Sequence, residues 1–250
     1  MGSSIPSGRA ARVLVCVLAA GASSRMGFPK LLAAFSGSDG AGTCLLAHAC
    51  ASALGSHAAQ VAVVTGAYAG EMAPVLEGLR EGFGDSRQCI AGTGSADSAS
   101  ARMPRLVELR NDAWSQGQAT SVRLAAQYSL AYDFDAIIFM AADQPFVEAG
   151  HLNALIEAFV SMRAAETTEA TAVPFALRSR WGTRQGNPCL FPRETLPLFE
   201  TLTGDEGARQ LFRSGALVAV PADIPPVPGH DVFCDLDTPD EFERFRQARC

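Results

Sequence analysis

At 250 residues the chain fits one to two domains of roughly 150 residues each. Hydrophobic residues make up 48% and charged residues 18%, a globular balance that excludes wholesale disorder. Twenty Lys and Arg against 26 Asp and Glu leave a net charge of −6, which argues against a nucleic-acid or anionic-membrane surface but leaves room for a local basic pocket. The apolar run Val13–Ala20 is far shorter than a bilayer span and lacks the cleavage pattern of a secretory signal, so a cytoplasmic location is expected. Seven cysteines contain no CxxC pair and four histidines no HExxH pattern, which excludes thioredoxin chemistry and a zinc hydrolase. Cys16 and Cys234 sit in apolar runs and read as small core residues. His48, His57, His151 and His230 read as surface or helix-end residues.

Residues 1–11, with Gly2, Ser3, Ser4, Pro6, Ser7 and Gly8, read as a flexible leader and residues 12–250 as one domain. Val13–Ala20 ends at Gly21-Ala22-Ser23-Ser24, the pattern of a strand buried on both faces that opens into a functional loop. Leu45–Leu54 predicts a helix and Gln60–Thr65 a second buried strand, stopped at Gly66. Tyr68–Arg80 predicts a helix with Ala73, Leu76 and Leu79 on its apolar side. Residues 82–105 shift to Gly, Ser, Ala and Asp and read as a flexible insertion. Leu106–Arg110 resumes as a strand, Gly117–Ala131 as a helix, Ala136–Ala142 as a third buried strand and Val147–Met162 as a helix. Beyond residue 170 strands are expected at Ala170–Leu177, Asn187–Phe191 and Leu217–Pro221, with helices at Gly204–Arg213 and Pro239–Ala248. This alternation predicts an α/β fold, a mostly parallel central sheet with helices on both faces.

Ligands of open α/β sheets bind at the carboxyl ends of strands. Two such ends carry reactive side chains. The first is "LAAGASSRMGFPK", residues 18–30, whose small residues let successive backbone N–H groups approach an anion while Arg25 and Lys30 add charge. It matches neither GxxxxGK[ST] nor GxGxxG, so the P-loop and dinucleotide fingerprints both fail. The rival reading is a glycine-rich turn with solvent-facing basic residues. The second is Asp143, at the mouth of "AIIFMAA", where a carboxylate suits a hard divalent cation such as Mg²⁺. The rival role is a helix N-cap for the segment after Pro145. Asp237, in "DLDTPDEF", is a third candidate, and taken alone reads better as an ordinary helix cap. If "DVFCDL" is a strand at the same sheet edge, Asp143 and Asp237 converge on one cation.

Taken together, these segments resemble a known family. "LAAGASSRMGFPK" is similar to LAAGxSxRMGxxK, the signature of sugar-nucleotide and cofactor nucleotidyltransferases. "NDAWSQGQATSVRLA", "AADQPF", "RQGNPCLFP", "TGDEGARQLF" and "DLDTPDEF" resemble, in the same order, segments of the molybdenum cofactor cytidylyltransferases. The resemblance runs from residue 14 to about residue 245. It implies a Rossmann-like nucleotidyltransferase (GT-A-like) fold and Mg²⁺-dependent transfer of CMP from CTP to the terminal phosphate of molybdopterin, releasing pyrophosphate. Carried over by position, Arg25, Lys30 and Asp143 are catalytic, and Asp143 and Asp237 bind Mg²⁺, with Asp235 an open alternative to Asp237. Leu18, Ala19, Ala20, Gly21, Ala22, Ser23, Arg25, Lys30, Asn111, Gly117 and Ser121 line the nucleotide. Ala20 in LAAG goes with cytosine, where LAGG goes with guanine. Asn187 stands where many of these enzymes have His, a departure that bears on the acceptor. The resemblance also brings a molybdenum hydroxylase or its maturation chaperone as the candidate recipient of the product. Two alternatives stay open: transfer of another nucleotide, such as guanylyl, to a different phosphorylated acceptor, and a non-catalytic protein that delivers the molybdenum cofactor.

Overall fold

The structure, a computed structural model, describes residues 10–36, 42–83, 105–165 and 174–248. Residues 1–9 of the expected leader and 84–104 of the expected insertion lie outside these residues, as do 170–173 of the expected strand after Met162.

Valine-rich and isoleucine-rich runs build the centre of a seven-stranded sheet. Its strands are β1 (Val13–Leu18), β4 (Gln60–Thr65), β5 (Leu106–Arg110), β6 (Ala136–Ala141), β7 (Phe175–Trp181), β8 (Arg184–Pro192) and β9 (Val218–Asp223), in the order β5-β4-β1-β6-β8-β7-β9. β5, β4, β1 and β6 are mutually parallel, β8 runs antiparallel between β6 and β7, and β9 is parallel to β7. A small hairpin, β2 (Ala34–Ser36) with β3 (Gly42–Cys44), stands apart; the sequence pattern did not reveal these short strands. Successive residues of a strand face opposite sides, so Val13, Val15 and Val17 join one core and Leu14 and Cys16 the other. Ile138 and Ile137 divide the same way on β6.

The first core is covered by α1 (Leu45–Leu54), α2 (Ala69–Gly82), α4 (Ala149–Ala165) and α6 (Pro239–Ala248). The second is covered by α3 (Gln118–Ala131), the 3-10 segment 193–201 and α5 (Arg209–Arg213). The expected architecture, a mostly parallel sheet with helices on both faces, is the one observed. Truncating a core side chain such as Ile138 to Ala costs about 2–5 kcal/mol.

Several details differ from the sequence reading. α2 buries Ala69, Met72 and Leu76 and packs Leu79 against the core, as expected for Leu76 and Leu79, while Ala73 is exposed and Met72, one position earlier, takes the inward place. The helix expected over Gly204–Arg213 contracts to α5, since Gly204 and Gly207 both take positive φ, which breaks a helix. "DVFCDL" is a turn and extended loop, not a strand, and Cys234 within it is only partly buried. Cys16, Cys44, Cys50 and Cys189 are buried, and burial pushes the Cys50 and Cys189 thiols up to about 12, so these are inert core groups. His151 lies near a helix end as expected, yet it is buried: its Nδ1 accepts from the Glu148 N–H and its Nε2 faces the Pro225 carbonyl. Among the described residues no helix is long and apolar enough to cross a membrane.

Candidate functional site

After β1 the chain continues to β4 and β5 on one side, whereas β6 returns to β1's other side. The crevice between the ends of β1 and β6 is therefore the sheet's topological switch point, where open α/β sheets hold ligands. A cavity of about 420 Å³ opens there, within the range of small-molecule sites.

One wall is the loop after β1. It is anchored by the Ala19 N–H on the Val64 carbonyl, the Ala67 N–H on the Ala20 carbonyl and the Tyr68 hydroxyl on the Ala22 carbonyl. Ser23 and Gly27 take positive φ, which turns the chain without consuming the N–H groups of Gly21, Ala22 and Ser23: these have no protein acceptor among the described residues. A Cβ added to Gly21 would meet nothing within 4 Å, so this edge of the loop is open to a ligand. Free main-chain donors around a small residue form an anion cradle.

Lys30 closes the loop. Only 7% of it is exposed, and its ammonium reaches Asp143 Oδ2 at 2.7 Å, the Leu236 carbonyl at 2.5 Å and Asp237 Oδ1 at 3.6 Å. The two aspartates predicted from the sequence do converge, but not along a shared sheet edge. The turn carrying Asp237 is clipped to the end of β6 by the Leu236 N–H on the Asp143 carbonyl, 3.1 Å, and by Gln144 Nε2 on Asp235 Oδ1, 2.8 Å.

Neither aspartate is a helix cap. α4 begins at Ala149, well past Asp143. At α6, Thr238 and Glu241 form a capping box: the Glu241 N–H donates to Thr238 Oγ1, and Glu241 Oε2 accepts from the Thr238 and Asp237 N–H groups. That leaves the Asp237 carboxylate free to face Lys30 and Arg25, the latter at 3.3 Å. Asp235 is different: its Oδ1 is held by Gln144, and its carboxyl is raised above the usual range, first by desolvation and then by the neighbouring Asp143 charge.

The opposite wall comes from the segment before α3. Asn111 was expected to line the nucleotide, but it lies 5% exposed behind the wall, donating to Thr120 Oγ1 and Ser121 Oγ and accepting from the Ala113 N–H. It braces the segment that carries Gly117 and Ser121, both of which do face the cavity. Leu18, Ala19, Ala20, Gly21, Ala22, Ser23, Lys30 and Asp143 line it too. Arg25 does not; it stands outside, 76% exposed, against Asp237. Trp114, Gln118 and Asp205 also line the cavity and were not singled out in the sequence. A hint lay in their motifs, since "NDAWSQG" and "TGDEGARQLF" had no core role to explain them.

Among the described residues no group of three or more His, Cys, Asp or Glu side chains is arranged to hold a metal ion. The two carboxylates still fit Mg²⁺. They are hard oxygen donors that already meet on one positive charge, and Mg²⁺ takes one or two carboxylates and completes its shell with water and substrate phosphates.

Switch-point cavity, anion cradle and lysine–carboxylate cluster together define an α/β protein whose sheet carries a site with donors suited to an anion. The comparison with known families gives the particular kind: residues 15–220 match the MobA-like NTP transferase domain, and the chain belongs to that family. It is 29% identical over 133 residues to the purine catabolism protein PucB of Bacillus subtilis, a match covering 53% of this chain and 58% of PucB. Rv0371c of Mycobacterium tuberculosis shares the fold with TM-score 0.63 at 22% identity over 96% of this chain and 99% of its own, and it has also been solved with manganese. A CMP:2-keto-3-deoxy-manno-octonic acid synthetase complexed with CTP shares it with TM-score 0.57 at 14% identity, over 95% of this chain and 98% of its own.

Proposed function

We propose that this chain transfers CMP from CTP to the terminal phosphate of molybdopterin and releases pyrophosphate. The observation that carries the chemistry is the Lys30 ammonium, buried beside an open anion cradle and drawing Asp143 and Asp237 together. An oxygen of the acceptor phosphate attacks the α-phosphorus of CTP, and the bond from that phosphorus to the bridging oxygen of pyrophosphate breaks. The attacking oxygen is already ionised at neutral pH, so no protein nucleophile is required. The task is to align two anions that repel each other, which is work for positioned charge. The Gly21–Ser23 N–H groups and Lys30 hold the triphosphate. Arg25, at the rim, meets charge on the incoming phosphate. Asp143 and Asp237 would hold Mg²⁺, which when bound neutralises phosphate charge and orients the leaving group.

The cytosine assignment rests on Ala20 in the LAAG loop, and is supported by the CTP-bound synthetase among the structural neighbours. Molybdopterin as acceptor rests on the similarity of "AADQPF", "RQGNPCLFP" and "TGDEGARQLF" to the cofactor cytidylyltransferases. The test is pyrophosphate release from each of the four NTPs with Mg²⁺ and molybdopterin. A kcat/KM for CTP roughly ten- to a hundred-fold above GTP is expected, the discrimination pocket shape can supply. A GTP preference transfers the assignment to guanylyl transfer, and no release from any nucleotide overturns it.

A further inference from the structure

The cavity has one feature that triphosphate binding does not use. Asp205, a solvent-exposed carboxylate, lines the same cavity as Lys30 and the anion cradle. Its neighbour Glu206 is satisfied by an ion pair with Arg213, whereas Asp205 has no hydrogen bond or ion pair among the described residues. A lone acidic group in a cavity for a polyanion weakens binding unless it meets a donor on the ligand.

The loop that carries it is held tightly. The Ala119 N–H donates to the Gly204 carbonyl at 2.9 Å, seating the 203–208 loop on the start of α3. Gly117 has φ +104°, and a Cβ there would fall 2.5 Å from the Gly204 carbonyl and 2.7 Å from Asp205 Oδ1. A Cβ on Gly207, φ +52°, would fall 2.7 Å from Gln118 Oε1. Glycine at both positions lets the loop approach so closely that the Asp205 carboxylate is delivered to the cavity edge.

We propose that Asp205 is a specificity residue of this site, accepting a hydrogen bond from an N–H or O–H donor on the nucleoside half of the bound nucleotide. The inference rests on the nucleotide-binding reading above. The phosphates occupy the end with Lys30 and the cradle, because Asp205 repels them. The nucleoside is covalently tied to those phosphates, so it takes the remainder of the same cavity. Its donors there are the 4-amino group of cytosine and the ribose hydroxyls.

The test is direct nucleotide binding by calorimetry, with wild type, Asp205→Ala and Asp205→Asn, using CTP, UTP, 2′-deoxy-CTP and 3′-deoxy-CTP. The expected result is a loss of about 10- to 100-fold in CTP affinity for Asp205→Ala, the size of a hydrogen bond to a charged group, with partial recovery in Asp205→Asn. The loss must vanish for the nucleotide lacking the partner: UTP if it is the amino group, one of the deoxynucleotides if it is a ribose hydroxyl. A carboxylate that only repels predicts the opposite sign, tighter binding of all four nucleotides on its removal. A carboxylate that only favours the positive end of α3 predicts a lower melting temperature with equal change for all four. Either result, or no change, overturns the proposal. If wild type binds none of the four nucleotides, the nucleotide reading itself fails, which is a separate outcome.

Discussion

Replacing Lys30 with Met keeps the four-atom stem and its packing but deletes the charge. Two consequences follow, and they are separable. The first is stability. Removing one partner of a fully buried ion pair costs about 3–5 kcal/mol. Here the Asp143 and Asp237 side chains are 23% and 50% exposed, so water takes back part of the loss, and about 2 kcal/mol is the reasonable figure. For a chain of this size that lowers Tm by roughly 4–8 °C. The second is turnover. Withdrawing a preorganised positive charge from developing phosphate oxyanions costs about 10²- to 10³-fold in kcat. The assay is pyrophosphate release at a temperature well below the variant's Tm, beside a thermal melt. A kcat within a few-fold of wild type removes Lys30 from the chemistry. An unchanged Tm means the ammonium does not hold the two aspartates in place.

Asp143→Asn is nearly isosteric and keeps an acceptor for Lys30 at the 2.7 Å contact. It should fold, yet lose metal-dependent turnover by about 10²-fold or more at limiting Mg²⁺; turnover within a few-fold of wild type with an unshifted Mg²⁺ requirement would rule out Asp143 as its ligand. Removing divalent metal from wild type with a chelator should abolish turnover and leave the melt nearly unchanged, since the Lys30 contacts remain. Gly117→Ala puts a methyl 2.5 Å from Gly204 at φ +104°, so it should cost about 2–4 kcal/mol, read by urea unfolding; a loss under 1 kcal/mol means the 203–208 loop is not packed as described. For His151, burial lowers the imidazole below its ordinary 6.5, with the Pro225 carbonyl and Glu148 opposing. The unfolded chain then binds the proton first as pH falls, so the His151 contribution is complete above 6.5 and declines below it, through the window down to the depressed folded value. Urea midpoints in that window should fall less steeply with acid in His151→Gln; identical slopes contradict it.

What the sequence shows most clearly is wherever burial on both faces forces long apolar runs. β1, β4 and β6 were legible to within two residues because a strand covered by helices has no polar alternation to confuse with a helix. The same holds for the loop after β1, whose small residues and two cations have no use in a core. The weaker readings fall where local pattern yields to packing. α5 is five residues long and sits among glycines, so no periodicity of its own marks its start. β2 and β3 have three residues each, too few for alternation to register. Asn111 was placed on the nucleotide by resemblance, but its geometry is that of a brace, and nothing local distinguishes an amide that binds ligand from one that holds a helix start.

Asp237 shows how a correct pairing can arise from a different cause. The sequence reading brought it to Asp143 through a strand over "DVFCDL", and that strand does not exist. What joins them is a set of polar contacts spanning most of the chain: Lys30 to Asp143 is separated by 113 residues and Lys30 to the Leu236 carbonyl by 206. Contacts of that span leave no periodic trace. They can be inferred only from side chains with no local task, and each end of this cluster fits that description. Lys30 follows a loop with nothing to pair to, and Asp237 precedes a helix whose cap is already supplied by Thr238 and Glu241. By the same logic Asp205, beside a glutamate that already has its arginine, has no local task among the described residues, and the cavity is where the fold puts it.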